Sequence, residues 1–307
     1  MPEQTEIVIV GGSVAGLQTA LTLGRARRSV VVVDDGHPRN GPARQVHNFL
    51  GQSAPTPAGL LATGRELLRP YDVTIVRDRV EEVRRNGRAL EVRLGGGAEW
   101  GARAVVLATG LHDVLPDVPG VAAAWGGSVV ACPHCHGWEV RDGPLAQLGL
   151  RGLPARGVAR ALLLSAWSED VVLFTDGDPL AAADVDRLAR AGVRVRTERV
   201  LGVEEVPGGV EVVVAGGERV PRRALFVATT QHQQTDLAVR LGCALVPDGP
   251  AAGAVAADTV GRTGVPGVWV AGTTANPALL AIGAAGHGST VATALHADLL
   301  EQDHPGR

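Results

Sequence analysis

The sequence predicts an α/β protein of two three-layer domains, the second inserted into the first. Three observations lead there. An apolar, β-branched run, Glu6–Val10, passes through a glycine-rich turn, Gly11–Gly16, into a helical stretch and then a second apolar run, Ser29–Val33, that ends in Asp34 and Asp35. A similar order of strand, helix and strand returns between Pro144 and Thr175. A last strand, Gly267–Ala271, and a terminal helix, Ser289–Leu300, go back to the first pattern. At roughly 150 residues per domain, a chain of 307 residues makes two. The expected boundaries are 1–115 with 237–307 for the outer domain and 116–236 for the inserted one.

Each element follows from local pattern. Glu6–Val10 and Ser29–Val33 are continuous apolar runs, as strands buried on both faces of a parallel sheet are. Leu17–Gly24 carries small and aliphatic residues suited to a helix on that sheet. Gly36–Pro57 is polar and rich in Pro and Gly, which predicts a loop with functional contacts. Val73–Val76, Arg79–Arg84 and Ala89–Leu94 read as short strands, with Asn86-Gly87 as a hairpin signal. Ala104–Ala108 is another apolar strand, ending at Thr109-Gly110, and the Pro-rich Leu115–Gly120 reads as a hinge. In the inserted domain Pro144–Leu150 is a strand, Ala155–Trp167 its helix and Val171–Thr175 the strand after it. Ala182–Ala191 is helical, Arg194–Val200 and Glu211–Val214 are extended, and Leu225–Ala228 is a strand leading to a second crossover.

Composition narrows the function. The net charge of −3 is spread along the chain without a basic block, and aromatics are 3%, which argues against a nucleic-acid surface or a base-stacking platform. Thr263–Ala297 carries no formal charge, but Pro266, Pro277, Asn276, His287 and many glycines interrupt it, so no membrane span is expected. No secretory signal is visible in Met1–Glu6, and three cysteines do not make a disulfide scaffold, so a cytoplasmic protein is expected.

Gly11-Gly12-Ser13-Val14-Ala15-Gly16 follows a strand and opens a helix, as a dinucleotide-binding turn in a Rossmann-like domain does. Backbone N–H groups at such a helix start hold a pyrophosphate. Ser13 departs from the usual third glycine, and Gly12 relieves the turn. Asp34, with Asp35 beside it, stands where a carboxylate would accept hydrogen bonds from ribose hydroxyls. The alternative is a plain tight turn between strand and helix.

Cys132-Pro133-His134-Cys135-His136 is the sharpest signal. Two thiols at this spacing can close a small disulfide and exchange it with another dithiol. His134 and His136 are placed to tune the thiols or to move protons near neutral pH. A haem-attachment string, half of a zinc site and two inert buried cysteines are the competing readings. No second CxxC completes a zinc site, and a nucleotide motif and a dithiol in one chain imply electron flow, so a redox dithiol without a metal is preferred. Cys243 reads as a small apolar residue.

With these motifs in place the chain resembles the low-molecular-weight thioredoxin reductases over nearly its whole length. The resemblance rests on Ile7–Leu17, Val46–Gly51, Ala108-Thr109-Gly110, the CxxC, and Val268–Gly272. Within that family, Cys132–Glu139 is similar to the branch that oxidises natural-product dithiols, the gliotoxin and holomycin dithiol oxidases. The resemblance implies FAD in the outer domain, a redox disulfide in the inserted one, and a homodimer. It also implies that Cys132 faces the substrate and Cys135 the flavin. Asn48 becomes a flavin neighbour, with plain loop solvation as its alternative, and Thr109, Gly110, Gly272 and Thr273 part of the cofactor site, while Arg39 and Asn40 follow the acidic strand end and are placed to reach the adenosine side. His287, in the returning segment, is either a second catalytic histidine or a structural one.

Two departures from the family redirect the expected activity, and a third touches only the flavin contacts. His136 follows the second cysteine where ordinary thioredoxin reductases have Asp, which makes it the candidate general base, unless it only caps or solvates the helix start. In the second nucleotide turn only Gly149 matches. Arg151 stands at the second glycine, Pro154 at the closing small residue, and Asp176 and Asp178 where an arginine cluster would take the 2′-phosphate of NADPH. Thr273 stands where the family has Asp. NADPH is therefore not expected. The expected partners are a small dithiol and O2. An NAD(P)H-dependent reductase of a thioredoxin-like protein and a non-enzymatic flavin sensor are the competing functions.

Overall fold

The computed structural model describes residues 2–87 and 89–305. The chain divides into two compact units, Met1–Gly41 with Phe49–His112 and Gln231–Arg307, and Pro42–Asn48 with Asp113–Thr230. The boundaries expected at 115/116 and 236/237 thus lie at 112/113 and 230/231. Residues 42–48, expected in the outer domain, belong to the second unit because their contacts are there. Arg44 pairs with Glu205 at 3.6 Å, His47 lies 3.4 Å from Glu139, and Gly126 packs under the Pro42 carbonyl.

The first unit is built on a parallel sheet in the order Val268–Val270, Ala104–Leu107, Ile7–Val10, Val30–Val33, Val73–Val76. Successive side chains of a strand point to opposite faces. Ile7, Ile9, Val30 and Val32 accordingly enter one core, with the helices Val14–Arg25 and Ala281–Asp303. Val8, Val10, Val31 and Val33 enter another, covered by the antiparallel strands Val80–Asn86, Ala89–Leu94 and Glu99–Ala102. The result is the expected three-layer unit.

The second unit repeats the plan. Its parallel sheet runs Val129–Val130, Ala224–Val227, Leu145–Leu148, Val171–Phe174, Arg194–Arg196. Leu145, Val171, Leu173 and Phe226 face the helices Pro154–Leu164 and Ala182–Arg190, while Ala146, Leu148, Val172 and Phe174 face the antiparallel strands Val200–Val206, Gly209–Val214 and Arg219–Arg222. Leu111–Val114 and Thr230–Gln233 pair as a two-stranded ribbon where the chain leaves and re-enters the first unit.

Several elements depart from expectation. The first helix starts at Val14, inside the glycine turn. The loop after Gly36 ends in a helix, Pro57–Glu66, whose Thr56 side chain caps the Gly59 N–H at 3.0 Å. Thr-Pro is an N-cap and first-turn signal. Arg194–Val200 is broken, because Arg194–Arg196 belongs to the parallel sheet and Val200 begins the antiparallel one. The terminal helix begins at Ala281, eight residues before Ser289. Its glycines read as breakers, yet Gly288 is a contact residue. A Cβ there would strike the Ala15 carbonyl and come within 2.9 Å of Thr19 Oγ1. Thr19 Oγ1 donates to the Ala15 carbonyl at 2.8 Å, and the Gly288 carbonyl lies 3.1 Å from the same hydroxyl. Among the described residues no helix is long and apolar enough to cross a membrane.

This contact can be tested. Gly288→Ala should destabilise the first unit by about 1–3 kcal/mol through overpacking, even though alanine is the better helix former. Urea denaturation would read it as a lower midpoint, whereas Gly286→Ala, with open space at its Cβ, should leave the midpoint unchanged or raise it.

Candidate active site

In the first unit the turn after Val10 forms a cradle for a dinucleotide. Gly11 has φ 105°, and a Cβ on it would occupy the place of the Ala108 carbonyl. A Cβ on Gly16 would strike the Gly11 carbonyl, so helix and strand approach at backbone distance. Ser13 is the N-cap residue with φ −84°, ψ −173°, a conformation open to any residue, which is why serine fits the third place. Its side chain makes no capping bond. Helix geometry leaves the first-turn N–H groups of Val14, Ala15 and Gly16 without intrahelical acceptors, and such groups suit a pyrophosphate. The residues present therefore fit the FAD that the family binds.

Asp34 turns inward. Its Oδ1 accepts from the Gly12 N–H at 3.1 Å and the Gly36 N–H at 3.3 Å, and its Oδ2 pairs with Arg65 at 2.9 Å. Both of its oxygens thus hold the turn together, a role the sequence did not assign. Asp35 keeps an exposed carboxylate, 3.4 Å from His37 Nδ1. Arg39 and Asn40 lie in the turn that the Gly41 N–H closes on the Pro38 carbonyl. Asn48, expected beside the flavin, has φ 54° and groups with the second unit.

The returning segment closes on the first strand-end turn. Gly272–Thr274 is a 3-10 turn in which Gly272 has φ 68° and no room for a Cβ, since Ala15 Cβ would be 2.6 Å away. The Gly110 N–H donates to Thr274 Oγ1 at 2.8 Å, and Thr109 Oγ1 lies 3.4 Å from the same hydroxyl. Thr273 Oγ1 is 3.3 Å from the place of a Gly110 Cβ. Thr274 was not singled out by sequence. His287 accepts the Gly272 N–H on Nδ1 at 3.0 Å, and burial lowers its pKa. Neutral His287 therefore acts as a brace for the turn.

In the second unit Cys132 and Cys135 are joined as a disulfide with Cα atoms 5.3 Å apart. Cys132 is the N-cap of a single turn, Pro133–His136, and its carbonyl accepts from the N–H groups of Cys135 and His136, both at 3.2 Å. Proline at the first helical position needs no N–H and fixes that turn. Gly137 is packed against Trp167, with no space for a Cβ, and the exposed His134 lies edge-on to the Trp167 ring at 5.4 Å. His136 is half-buried. Burial lowers its pKa, His47 pushes the same way and Glu139 opposes. The two imidazoles meet edge to face with centroids 6.3 Å apart. His47 is the residue the sequence reading passed over, since it lies far from the CxxC along the chain. Cys243 is free and buried, and burial raises its thiol pKa.

The second nucleotide turn differs from the spacing expected from the sequence in one respect. Gly157, not Pro154, is the close-packing residue, since a Cβ on it would stand 3.0 Å from Gly149 Cα. The turn from Gly149 is thus longer than that from Gly11. It is filled by the chain's own carboxylates. Asp178 accepts the Gly152 N–H at 2.7 Å. Asp176 pairs with Arg151 at 2.9 Å and Arg199 at 3.2 Å, and accepts the Val200 N–H at 2.8 Å. Among the described residues no group of three or more His, Cys, Asp or Glu side chains is placed to hold a metal ion.

Comparisons with known proteins agree with this anatomy. The profile of the pyridine nucleotide-disulphide oxidoreductase family matches residues 5–295. The chain is 30% identical to the thioredoxin reductase tcpT of Claviceps purpurea, over 80% of this chain and 79% of that one. It is 28% identical to a probable thioredoxin reductase of Arthroderma benhamiae, over 97% of this chain and 81% of the other. The crystal structure of HlmI matches with a TM-score of 0.91 at 39% identity, covering 98% of this chain and 94% of that one.

The His287 brace makes a prediction with a definite sign. Its folded pKa is lowered, so its contribution to stability is complete above the ordinary histidine value of about 6.5 and is lost as pH falls through the folded value. His287→Leu strands the Gly272 N–H and should cost about 1–3 kcal/mol at neutral pH. Urea denaturation of both proteins across the acid range should show the gap closing as pH falls.

Proposed function

We propose that this chain, which belongs to the pyridine nucleotide-disulphide oxidoreductase family, is an FAD-dependent dithiol oxidase acting on a small natural-product dithiol. The products are an intramolecular disulfide and H2O2, with O2 as the final acceptor, in a cytoplasmic homodimer. The observation that carries the reading is the filled second nucleotide turn, where Asp178 and Asp176 hold the Gly152 N–H and Arg151. A nicotinamide dinucleotide would have to displace two carboxylates of its own charge sign from that turn. On this reading the turn takes no hydride donor, and electrons enter from thiols. The resemblance of Cys132–Glu139 to the gliotoxin and holomycin dithiol oxidases supports the same substrate class.

The chemistry runs through the Cys132–Cys135 bond. A substrate thiolate attacks Cys132 Sγ, and Cys135 leaves with the bonding pair. The second substrate thiol then attacks the substrate sulfur of the mixed disulfide, which frees Cys132 and closes the ring. His136, one residue after Cys135, takes the proton of the attacking thiol. A lowered pKa keeps it neutral and competent for this at neutral pH. The substrate has lost two electrons and two protons, and the enzyme dithiol holds them. FAD held at the Gly11–Gly16 turn would supply the two-electron acceptor for re-forming the disulfide and the reductant for O2, which with two protons gives H2O2.

The deciding experiment adds NADPH and then dithiothreitol to the FAD-loaded protein without oxygen, while flavin absorbance is followed. The oxidase reading expects no bleaching by NADPH, bleaching by dithiothreitol, and recovery with peroxide on admitting air. Prompt bleaching by NADPH would replace it with the NAD(P)H-dependent reductase reading. His136→Ala, with FAD retained, should slow reduction by dithiothreitol by about 10²-fold, and unchanged reduction would remove His136 from its role.

A further inference from the structure

The segment 42–48 brings a second histidine to the dithiol, and nothing in the mechanism above uses it. His47 is largely buried, with 19% of its side chain exposed. Its Nδ1 lies 3.4 Å from Glu139 Oε1, and its ring stands edge to face with His136 at 6.3 Å. A carboxylate at that nitrogen favours the form with a hydrogen on Nδ1 and fixes the ring orientation. Three titratable groups from two separate stretches of chain, His47, His136 and Glu139, therefore meet beside the turn that carries Cys132 and Cys135. His134 is turned onto Trp167, Arg44 is held by Glu205, and Gly137 is packed between Pro133 and Trp167.

We propose that Glu139 and His47 form an acid–histidine pair that orients His136 and governs how readily it takes the thiol proton. This rests on the reading of His136 as the base. The two partners act in opposite senses. Positive charge on His47 works against a second positive charge on His136, and the Glu139 carboxylate works for it. Proton uptake by His136 places an imidazolium next to the pair, and Glu139 offsets the added charge. His47 and Glu139 are positioning residues and exchange no atoms with the substrate. His136 alone receives the proton as the substrate sulfur attacks.

The opposite signs make the test sharp. The titration of the His136 imidazole is followed by NMR in the oxidised, FAD-loaded protein, for the wild type, Glu139→Gln, His47→Gln and the double variant. The pair predicts a downward shift of the His136 titration in Glu139→Gln, an upward shift in His47→Gln, and partial cancellation in the double variant. The acidic limb of the rate of anaerobic reduction by dithiothreitol should move the same way in each. Shifts of the same sign, or none, would overturn the proposal. Glu139→Asp and His47→Asn serve where a glutamine variant does not fold, and Glu139→Asp should restore the wild-type titration. The failure of the parent reading looks different, because His136→Ala would then keep its rate and its acidic limb while the NMR shifts stood.

Discussion

Burial on both faces of a parallel strand is the constraint from which both units follow. A strand such as Ile7–Val10 has no polar face, so its two sets of alternate side chains need two separate covers. Helices supply one and a small antiparallel sheet the other, and the second unit meets the same demand in the same way. The crossovers this requires leave the carboxyl ends of the strands open, where turns carry the binding groups. Gly11, Gly110 and Gly272 all lie at such ends, each with positive φ. The close approach of Gly288 to Ala15 then fixes the terminal helix against the nucleotide helix.

The same architecture supports two opposite turn chemistries. After Val10 the first-turn N–H groups have no intrahelical acceptor, and the Asp34 carboxylate binds the Gly12 N–H instead. After Leu148 the turn is longer, and Asp178 binds Gly152 while Asp176 gathers Arg151, Arg199 and the Val200 N–H. Asp176 is nearly fully buried, and a buried carboxylate is tolerated only with several donors around it. Those contacts stabilise the turn as it stands, and any phosphate would compete with them.

The layers were legible in the sequence because they depend on short-range pattern. Continuous valine runs, glycine turns and strand-ending aspartates located both sheets to within a few residues. What was not legible depends on distant backbone contact. Glycines in 281–288 carry no local helix signal, and the place of Gly288 depends on its contact with the Ala15 carbonyl. Asp34 read as a ribose acceptor, and only the fold reveals its bonds to Gly12, Gly36 and Arg65. The closing glycine at 157 was hidden by a turn of unusual length. The CxxC and its histidines were plain, whereas His47 carries no local signal and meets His136 through the grouping of 42–48 with the second unit.

That grouping bears on how a single histidine can serve thiol chemistry. A disulfide is attacked by thiolate, so an oxidase of external dithiols needs a base that is neutral at working pH yet still able to hold a proton. Burial alone lowers the pKa of His136, and taken far enough it would leave a ring too weak to accept one. The Glu139 carboxylate raises that capacity again, and the His47 imidazole lowers it. Histidine at 136 changes charge near neutral pH, so its neighbours must set where the change falls. Glu139 and His47 are the charged and titratable side chains placed to do so.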